Sequence, residues 1–415
     1  MAAPSSYTRP VPRGEEPRYG LRRFVAAVSA TVILLIGVGV PVSIVAPVPQ
    51  ARAEVAQEQQ RATDPAAIRL PSFGSSAVGV VGMPGVLAKR GPQAPRQMAS
   101  ITKVITMLVV LEKRPLAAGE DGPTITLGQR DVGYLDQVIA ANGSWQPVQA
   151  GWRVSQRAAI ETTMIPSANN YAETLAVWAY GSVPAYLDAA RAFLKANGLD
   201  DTTVVDTNGL SSGDRSTPTD LVDLGRIALA NPVLAATVRM ATADEPNVGA
   251  LENTNQLLGT DGIDGLKTGT YDTGANLLFS ATRRVGDRTV RIVGVVLGAR
   301  DHPTLDARVP AVVDSVVAGY HDLALAKPGQ VFATYETRWG GVGRAVAAKA
   351  VSRVVWSRAR VVRKASVDPI TGGRKGERVG EVTYSVDGST VVVPLVLDRD
   401  VLAAPVWWRL THPLR

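Results

Sequence analysis

Residues 100–111 read SITKVITMLVVL, in which a serine and a lysine three positions apart open an apolar run. Two residues at this spacing on a helix share one face and lie one turn apart. The amine of Lys103 can then lie beside the hydroxyl of Ser100 and accept its proton. We therefore predict that Ser100 is a nucleophile and that Lys103 is its base.

Two later triplets supply the other groups that an acyl-transfer site without histidine needs. The first, Ser-Ala-Asn at 167–169, follows a proline that interrupts a helical pattern. The second, Lys-Thr-Gly at 267–269, precedes a predicted hairpin. None of the three patterns is decisive alone, but their order and context together predict a single site.

The helix and the first triplet are predicted to move the proton. The apolar helix desolvates Lys103, and the helix N-terminus and a second lysine, Lys267, add positive potential, so the neutral amine is favoured. Ser167 is expected to relay a proton between the amines and the leaving group. Asn169 is expected to orient Lys103 and the substrate amide.

The second triplet is predicted to bind the substrate. Lys267 is expected to stay charged and to hold a substrate carboxylate, with Thr268 in the same strand. Gly269 lacks a side chain, so an extended peptide can pair with the strand edge. Thr270 completes this substrate-binding strand, and its backbone N–H and that of Ser100 are expected to form the oxyanion hole.

The composition excludes other chemistries. The 415 residues contain no cysteine, which removes disulfides, thiol catalysis and Cys-based zinc sites. Three histidines, His302, His321 and His412, are too few for a multi-histidine metal site, and none lies near a Gly-x-Ser-x-Gly motif. We expect them to be ordinary surface or packing residues, and we expect no metal and no cofactor.

The N-terminal residues indicate that the protein is exported. Residues 1–23 read as a cytoplasmic basic tail, and 24–46 carry no charge. Arginines before an apolar run, followed by a small-x-small motif at 51–53, are typical of a signal peptide, and the run is also long enough for a signal anchor. Pro41 favours cleavage, whereas the length favours retention. Both interpretations place the protein outside the cytoplasm, membrane-associated or secreted to the cell wall, where nucleic acid is a poor partner for a net charge of +7.

The rest of the chain predicts an α/β (α+β) fold in two domains. Residues 47–65 read as a polar linker, and 66–325 as helices and strands with an antiparallel sheet and a helical subdomain. Valine-rich segments between Gly and Asp turns predict a small all-β domain over 328–408. Its basic stretch, 344–378, is either a solvated strand face or a surface for an anionic membrane or wall polymer.

These motifs resemble those of the penicillin-binding D-alanyl-D-alanine carboxypeptidases, the serine-type group of low molecular mass in peptidase family S11. The resemblance is carried by residues 99–103, 165–170, 208–210, 216–220 and 264–270. It implies a serine β-lactamase/DD-peptidase-like domain over roughly 66–325. It also implies removal of the terminal D-alanine from peptidoglycan pentapeptide stems through an acyl-enzyme on Ser100, and inhibition by β-lactams, which acylate the same serine.

The chain departs from that family at some positions. Asn170 stands where many members have an acidic residue, and the C-terminal membrane anchor of the family is not evident, which favours 24–46 as the anchor. The resemblance also implies a basic residue after the hairpin that clamps the substrate carboxylate. Arg308 is our candidate, and Arg300 is the alternative.

Three alternatives use the same motifs. A DD-endopeptidase that cuts cross-links would need the same machinery and stays open. A serine β-lactamase of the commonest class needs a glutamate downstream of the Ser-x-Asn triplet, and no glutamate occurs between Glu173 and Glu245. A non-catalytic wall-binding protein is disfavoured by the intact set of candidate catalytic residues.

Overall fold

The computed structural model describes residues 19–57, 59–62, 66–286, 288–357 and 359–412. The chain divides into two units. The larger comprises Thr63–Asp322 and Val354–Arg358, and the smaller comprises Met1–Ala62, Leu323–Arg353 and Ala359–Arg415. Of the basic tail predicted for 1–23, residues 1–18 lie outside the described residues.

Helices dominate the middle of the chain. The described residues form these α-helices: α1 (Tyr19–Leu34), α2 (Val40–Val45), α3 (Thr102–Lys113), α4 (Gln129–Ala140), α5 (Gln156–Met164), α6 (Asn169–Tyr180), α7 (Val183–Ala196), α8 (Pro218–Ala230), α9 (Pro232–Thr237), α10 (His302–Asp306), α11 (Val309–Ala318) and α12 (Val406–Thr411). The interruption predicted near Pro166 is confirmed, because α5 ends before it and α6 begins after it.

Strands precede and follow these helices. They are β1 (Arg52–Val55), β2 (Gln59–Ala62), β3 (Ser75–Val80), β4 (Ala88–Arg90), β5 (Arg96–Gln97), β6 (Thr124–Thr126), β7 (Arg153–Ser155), β8 (Arg215–Ser216), β9 (Thr242–Glu245), β10 (Gly249–Glu252), β11 (Ile263–Tyr271), β12 (Gly274–Val285), β13 (Arg288–Ala299), β14 (Tyr320–Ala326), β15 (Val331–Glu336), β16 (Val342–Ala347), β17 (Val351–Trp356), β18 (Arg360–Val367), β19 (Arg378–Val386) and β20 (Ser389–Leu397). The predicted mixture of helices, antiparallel sheet and a β-rich C-terminal region is confirmed.

The larger unit is built on a five-stranded sheet in the order β11-β12-β13-β3-β4. Strands β12 and β13 form the hairpin that the sequence predicts, and β11 pairs antiparallel with β12 so that Lys267 lies opposite Leu278. Strand β11 is therefore an edge strand with one side open to an added strand. Its position places the Lys-Thr-Gly triplet at this open edge.

Helix α3 is the central helix of the larger unit. All residues from Thr102 to Leu111 are buried, and α3 packs against α6 and α7. Burial all around a helix is typical of a core helix and not of an amphipathic surface helix. Each fully buried Val, Leu or Ile side chain stabilises the fold by about 1.5–3 kcal/mol, so the start of α3 rests on a rigid support.

The smaller unit contains a seven-stranded sheet in the order β1-β15-β16-β20-β19-β18-β2. The linker predicted for 47–65 is corrected here, because this stretch supplies both edge strands, β1 on β15 and β2 on β18. The side chains of β1 are all exposed. Such strands pair through backbone groups without burying an apolar face, so they leave no hydrophobic pattern in the sequence.

The N-terminal apolar segment forms a helix. Residues Gly20–Val45 have a mean hydropathy of 2.4 over their most apolar window and are long enough, by length and composition, to cross a membrane. A π-helical turn, Leu35–Gly39, lies between α1 and α2. This turn comes just before Pro41, whose ring has no N–H to continue the α-helical hydrogen-bond pattern.

Candidate active site

Ser100 lies in a tight turn at the entrance of α3. The 3₁₀ turn Ala99–Ile101 leads directly into the helix, and Ala99 has a φ of 49°, which is uncommon for a residue with a side chain. Two glycines allow other segments to approach this turn. A Cβ on Gly209 would overlap the carbonyl of Ala99, and one on Gly269 would lie 2.6 Å from the carbonyl oxygen of Met98.

Lys103 is held beside the serine. Its Nζ lies 2.8 Å from Ser100 Oγ and donates to the carbonyl oxygen of Asn208, also at 2.8 Å. The side chain is 0% exposed. Burial and then the charge of Lys267 lower the pKa of Lys103 well below its ordinary value, against the opposing effect of Asp206 and Asp214. An amine with a lowered pKa, in hydrogen-bond contact with a hydroxyl, can act as its base.

Two aspartates that the sequence analysis missed fix the loop that carries Asn208. The carboxylate of Asp206 accepts the backbone N–H groups of Asn208 at 2.8 Å and Gly209 at 2.6 Å with one oxygen, and that of Ser211 at 2.7 Å with the other. Asp214 is fully buried, and its Oδ1 accepts the N–H of Val205 at 2.7 Å. Burial, followed by the neighbouring Asp206, raises the pKa of Asp214 to about 9.

A local sequence pattern predicts the conformation of this loop. An aspartate two residues before an Asn-Gly pair is typical of an Asx turn, in which the carboxylate accepts backbone N–H groups further along the chain. The loop therefore sets the position of the Asn208 carbonyl. That carbonyl in turn fixes the amine of Lys103.

Ser167 and Asn169 lie at the junction between α5 and α6. Ser167 has a φ of 67°, and both side chains are buried. Asn169 begins α6, and its Oδ1 is buried without a hydrogen-bond partner among the described residues. The hydrogen bonds found in the described part of the chain include none between Asn169 and Lys103, so the contact that the sequence analysis predicted is not formed here.

Lys267 is buried at the edge strand β11. It is 1% exposed, and its Nζ donates to Thr268 Oγ1 at 3.3 Å. Burial lowers the pKa of Lys267 to about 7, so burial opposes the charge that this amine is expected to keep. The Thr268 hydroxyl is also engaged by Thr254, with the two Oγ1 atoms 2.6 Å apart.

Thr270 lies exposed one residue beyond the triplet, and its Oγ1 is 2.8 Å from Nε2 of His302. His302, which the sequence analysis treated as an ordinary surface or packing residue, thus belongs to the site. Its half-buried ring begins α10 directly after β13. The local sequence Asp-His-Pro-Thr predicts a helix start, but it does not indicate which strand the ring faces.

The two arginines predicted as carboxylate clamps are both exposed. Arg308 is exposed at the N-cap of α11. The Arg300 guanidinium donates to Thr304 Oγ1 at 2.8 Å and pairs with Asp301 at 3.1 Å, and its side chain is 81% exposed. Within the described ranges, neither arginine forms a hydrogen bond or an ion pair with Lys267 or Thr270.

Comparisons with known proteins agree with this geometry. A family model described as D-alanyl-D-alanine carboxypeptidase, peptidase S11, matches residues 81–301, just over half of the chain. The D-alanyl-D-alanine carboxypeptidase DacA of Escherichia coli K12 is 23% identical over 330 residues, which cover 76% of this chain and 80% of that protein.

Two solved structures are similar in fold. The Streptomyces K15 DD-transpeptidase is 25% identical with a TM-score of 0.52, over 59% of this chain and 97% of that one. Penicillin-binding protein 5 from Haemophilus influenzae is 19% identical with a TM-score of 0.56, over 80% of this chain and 99% of that one. The second likeness, at its low identity, shows the fold alone.

Proposed function

The chain belongs to the D-alanyl-D-alanine carboxypeptidase family of serine hydrolases, and we propose that it removes the terminal D-alanine from peptidoglycan pentapeptide stems through an acyl-enzyme on Ser100. One observation carries the proposal: the buried amine of Lys103 lies 2.8 Å from Ser100 Oγ. The family resemblance expected from the sequence is confirmed.

In the acylation step Lys103 acts as the general base. Its neutral amine takes the proton of Ser100 as Oγ attacks the carbonyl carbon of the penultimate D-alanine. The backbone N–H groups of Ser100 and Thr270 stabilise the oxyanion. When the peptide C–N bond breaks, the proton passes by way of Ser167 to the leaving amine, and D-alanine departs. Water then attacks the ester and regenerates the serine hydroxyl.

The open edge of β11 binds the peptide. An extended stem peptide pairs with this strand as an added strand, and Gly269 keeps the edge free of a side chain. The terminal carboxylate then lies near Lys267 and Thr270. A β-lactam, which carries both an acyl group and a carboxylate, binds in the same way and acylates Ser100.

The test is direct. The parent enzyme and a Ser100→Ala variant are incubated with a labelled penicillin, and the adduct is located by mass spectrometry. We expect one adduct, on Ser100, that is absent from the variant. An adduct elsewhere, or none, contradicts the mechanism, whereas rapid turnover of the drug indicates a β-lactamase.

A second assay distinguishes the two candidate activities by their products. Release of free D-alanine from a pentapeptide supports the carboxypeptidase, and cleavage of cross-linked dimers without D-alanine release supports the DD-endopeptidase. Both activities need the same acyl-enzyme, so only the products distinguish them.

The protein acts outside the cytoplasm, where peptidoglycan lies. The apolar helix Gly20–Val45 supports this placement, either as a signal peptide that is removed or as a retained membrane anchor. N-terminal sequencing of the mature protein decides between the two. A mature chain that begins near residue 54 indicates cleavage, and one that retains the apolar segment indicates an anchor.

A further inference from the structure

His302 contacts the substrate-binding strand at the side chain just beyond the Lys-Thr-Gly triplet. Its Nε2 lies 2.8 Å from Thr270 Oγ1, and the threonine side chain is exposed at the open edge of β11. Thr270 therefore faces solvent on one side and the imidazole on the other. A ligand that pairs with β11 meets this hydroxyl with its orientation already restricted.

The chemistry of the pair decides which way the hydroxyl points. A threonine hydroxyl has one hydrogen to donate and two lone pairs that accept, and a ring nitrogen of histidine either donates or accepts. When Nε2 carries a hydrogen, it donates to Thr270 Oγ1, and the threonine hydrogen is free for another acceptor. A protonated imidazole carries that hydrogen always and adds a positive charge beside the hydroxyl.

Charged groups on several elements surround the ring. Burial lowers the pKa of His302, Asp306 raises it, Lys267 on β11 lowers it, and Asp301 raises it. Arg300 at the end of β13 is already paired with Asp301. An anion bound at Thr270 favours the imidazolium, as the two aspartates do, and offsets the effect of Lys267.

We propose that His302 is a positioning residue for substrate recognition, which holds the Thr270 hydroxyl as a hydrogen-bond donor to the α-carboxylate of the terminal residue of the peptide. The inference rests on the proposed function, because it assigns the group that the scissile end of the substrate meets. In this proposal the pair of His302 and Thr270 binds the substrate carboxylate, a role that the sequence predicted for Arg308 or Arg300.

A matched pair of ligands tests this role. The first is a diacyl-Lys-D-Ala-D-Ala peptide and the second is the same peptide with a C-terminal amide, and release of the terminal residue is measured between pH 5.5 and 8. In the parent, KM for the acid peptide should rise with pH as the imidazole loses its proton. KM for the amide should not follow this rise.

His302→Ala should raise KM for the acid peptide about tenfold, as expected for the loss of one hydrogen bond to a charged group, with kcat within about twofold. It should leave the amide peptide unchanged and reduce the pH dependence of the difference to the part that Lys267, with its pKa of about 7, supplies. His302→Gln, whose side-chain amide can donate to Thr270, should recover much of the affinity at all pH values. Equal losses for acid and amide peptides in His302→Ala would show a merely structural role and overturn the proposal.

Two further measurements keep the two proposals apart. Acylation of Ser100 by a penicillin and by its methyl ester provides a second acid and neutral pair that does not require the peptide to be a substrate. A parent that acylates but releases no D-alanine contradicts the proposed function and still tests His302 through this pair. If His302→Ala does not fold, as judged by its melting curve, the comparison is made with Thr270→Val, which removes the hydroxyl and should give the same selective loss.

Discussion

Two buried lysines lie on the two sides of the candidate site, and their surroundings differ. On the helix side, Lys103 is fixed by the Asn208 carbonyl and lies 2.8 Å from Ser100 Oγ. On the strand side, Lys267 has one hydrogen bond within the described part of the chain, a longer one, to Thr268 Oγ1 at 3.3 Å. Burial is the largest cause of the lowered pKa of both amines.

The difference indicates a division of tasks. The amine on the helix side is held against the nucleophile before any substrate arrives, as a general base must be. The amine on the strand side has hydrogens left to donate, and with a pKa of about 7 it gains a full charge when an anion binds nearby. We therefore propose that the helix side serves the proton transfer and that the strand side serves recognition.

The strongest test of this division removes the base and keeps a positive charge. Lys103→Arg should lower the rate of acylation by penicillin about a thousandfold, because a guanidinium does not release its proton at neutral pH and so cannot act as a base. The rate is measured by mass spectrometry of the Ser100 adduct. Lys113→Arg, at the exposed end of the same helix, is the matched control and should acylate normally. Acylation near the parent rate in Lys103→Arg refutes the role of Lys103.

Lys267→Gln tests whether the two sides are electrostatically coupled. The charge of Lys267 lowers the pKa of Lys103, so its removal should raise that pKa and move the rise of acylation rate to higher pH. The variant should also lose about a hundredfold in kcat/KM toward substrates with a carboxylate, as expected for the loss of a buried charge-assisted hydrogen bond. Rates of penicillin acylation from pH 5.5 to 9.5 check the shift. A rise at the same or a lower pH would show that the coupling is absent.

Gly269→Ala tests how closely the two sides must approach. A Cβ at this position would lie 2.6 Å from the carbonyl oxygen of Met98, next to the nucleophile turn. The added methyl group should push β11 away from the turn and reduce acylation about tenfold, because small displacements of catalytic groups are costly. Gly133→Ala, a helical position with open space around it, is the control and should leave acylation unchanged. Equal rates for both variants would mean that β11 can shift without cost.

The helix side was largely predictable from the sequence, because its main pair is local. Ser100 and Lys103 are three residues apart, and a buried helix is evident from the apolar run that follows them. The hairpin of β12 and β13 was predicted for a similar reason, since two apolar runs and a glycine turn occur within one short segment. The fold class follows from such segments taken in order.

The strand side depends on contacts that no local pattern contains. His302 reaches Thr270 only because the register of three strands brings the start of α10 beside β11. The charge state of Lys267 depends on how deeply the sheet buries it, which its triplet does not specify. The edge strands within 47–65 have no hydrophobic pattern in the sequence, since β1 pairs through its backbone and its side chains are all exposed.

Asp214→Asn has the smallest expected effect on acylation, and it tests the loop that supports the helix side. Burial raises the pKa of Asp214 to about 9 in the folded protein, far above the ordinary value of 3.8. The folded protein therefore holds a proton that the unfolded chain releases between about pH 4 and 9, so this group stabilises the fold most at low pH and its contribution falls as the pH rises. Asparagine is neutral at every pH and removes this dependence.

The variant should consequently gain stability relative to the parent as the pH is raised from 5 to 9. We expect a relative rise in Tm of up to about 3 °C for each pH unit, because one proton retained by the fold changes the stability by at most about 1.4 kcal/mol per pH unit. Thermal melting of both proteins at several pH values measures it, with Asp188→Asn, on the exposed face of α7, as the control. Asp206→Asn should instead lower the Tm at every pH, because the carboxylate accepts three backbone N–H groups with its two oxygens and an amide has only one oxygen to accept them. If the Tm difference between Asp214→Asn and the parent stays constant with pH, Asp214 is ionised in the fold and burial does not raise its pKa.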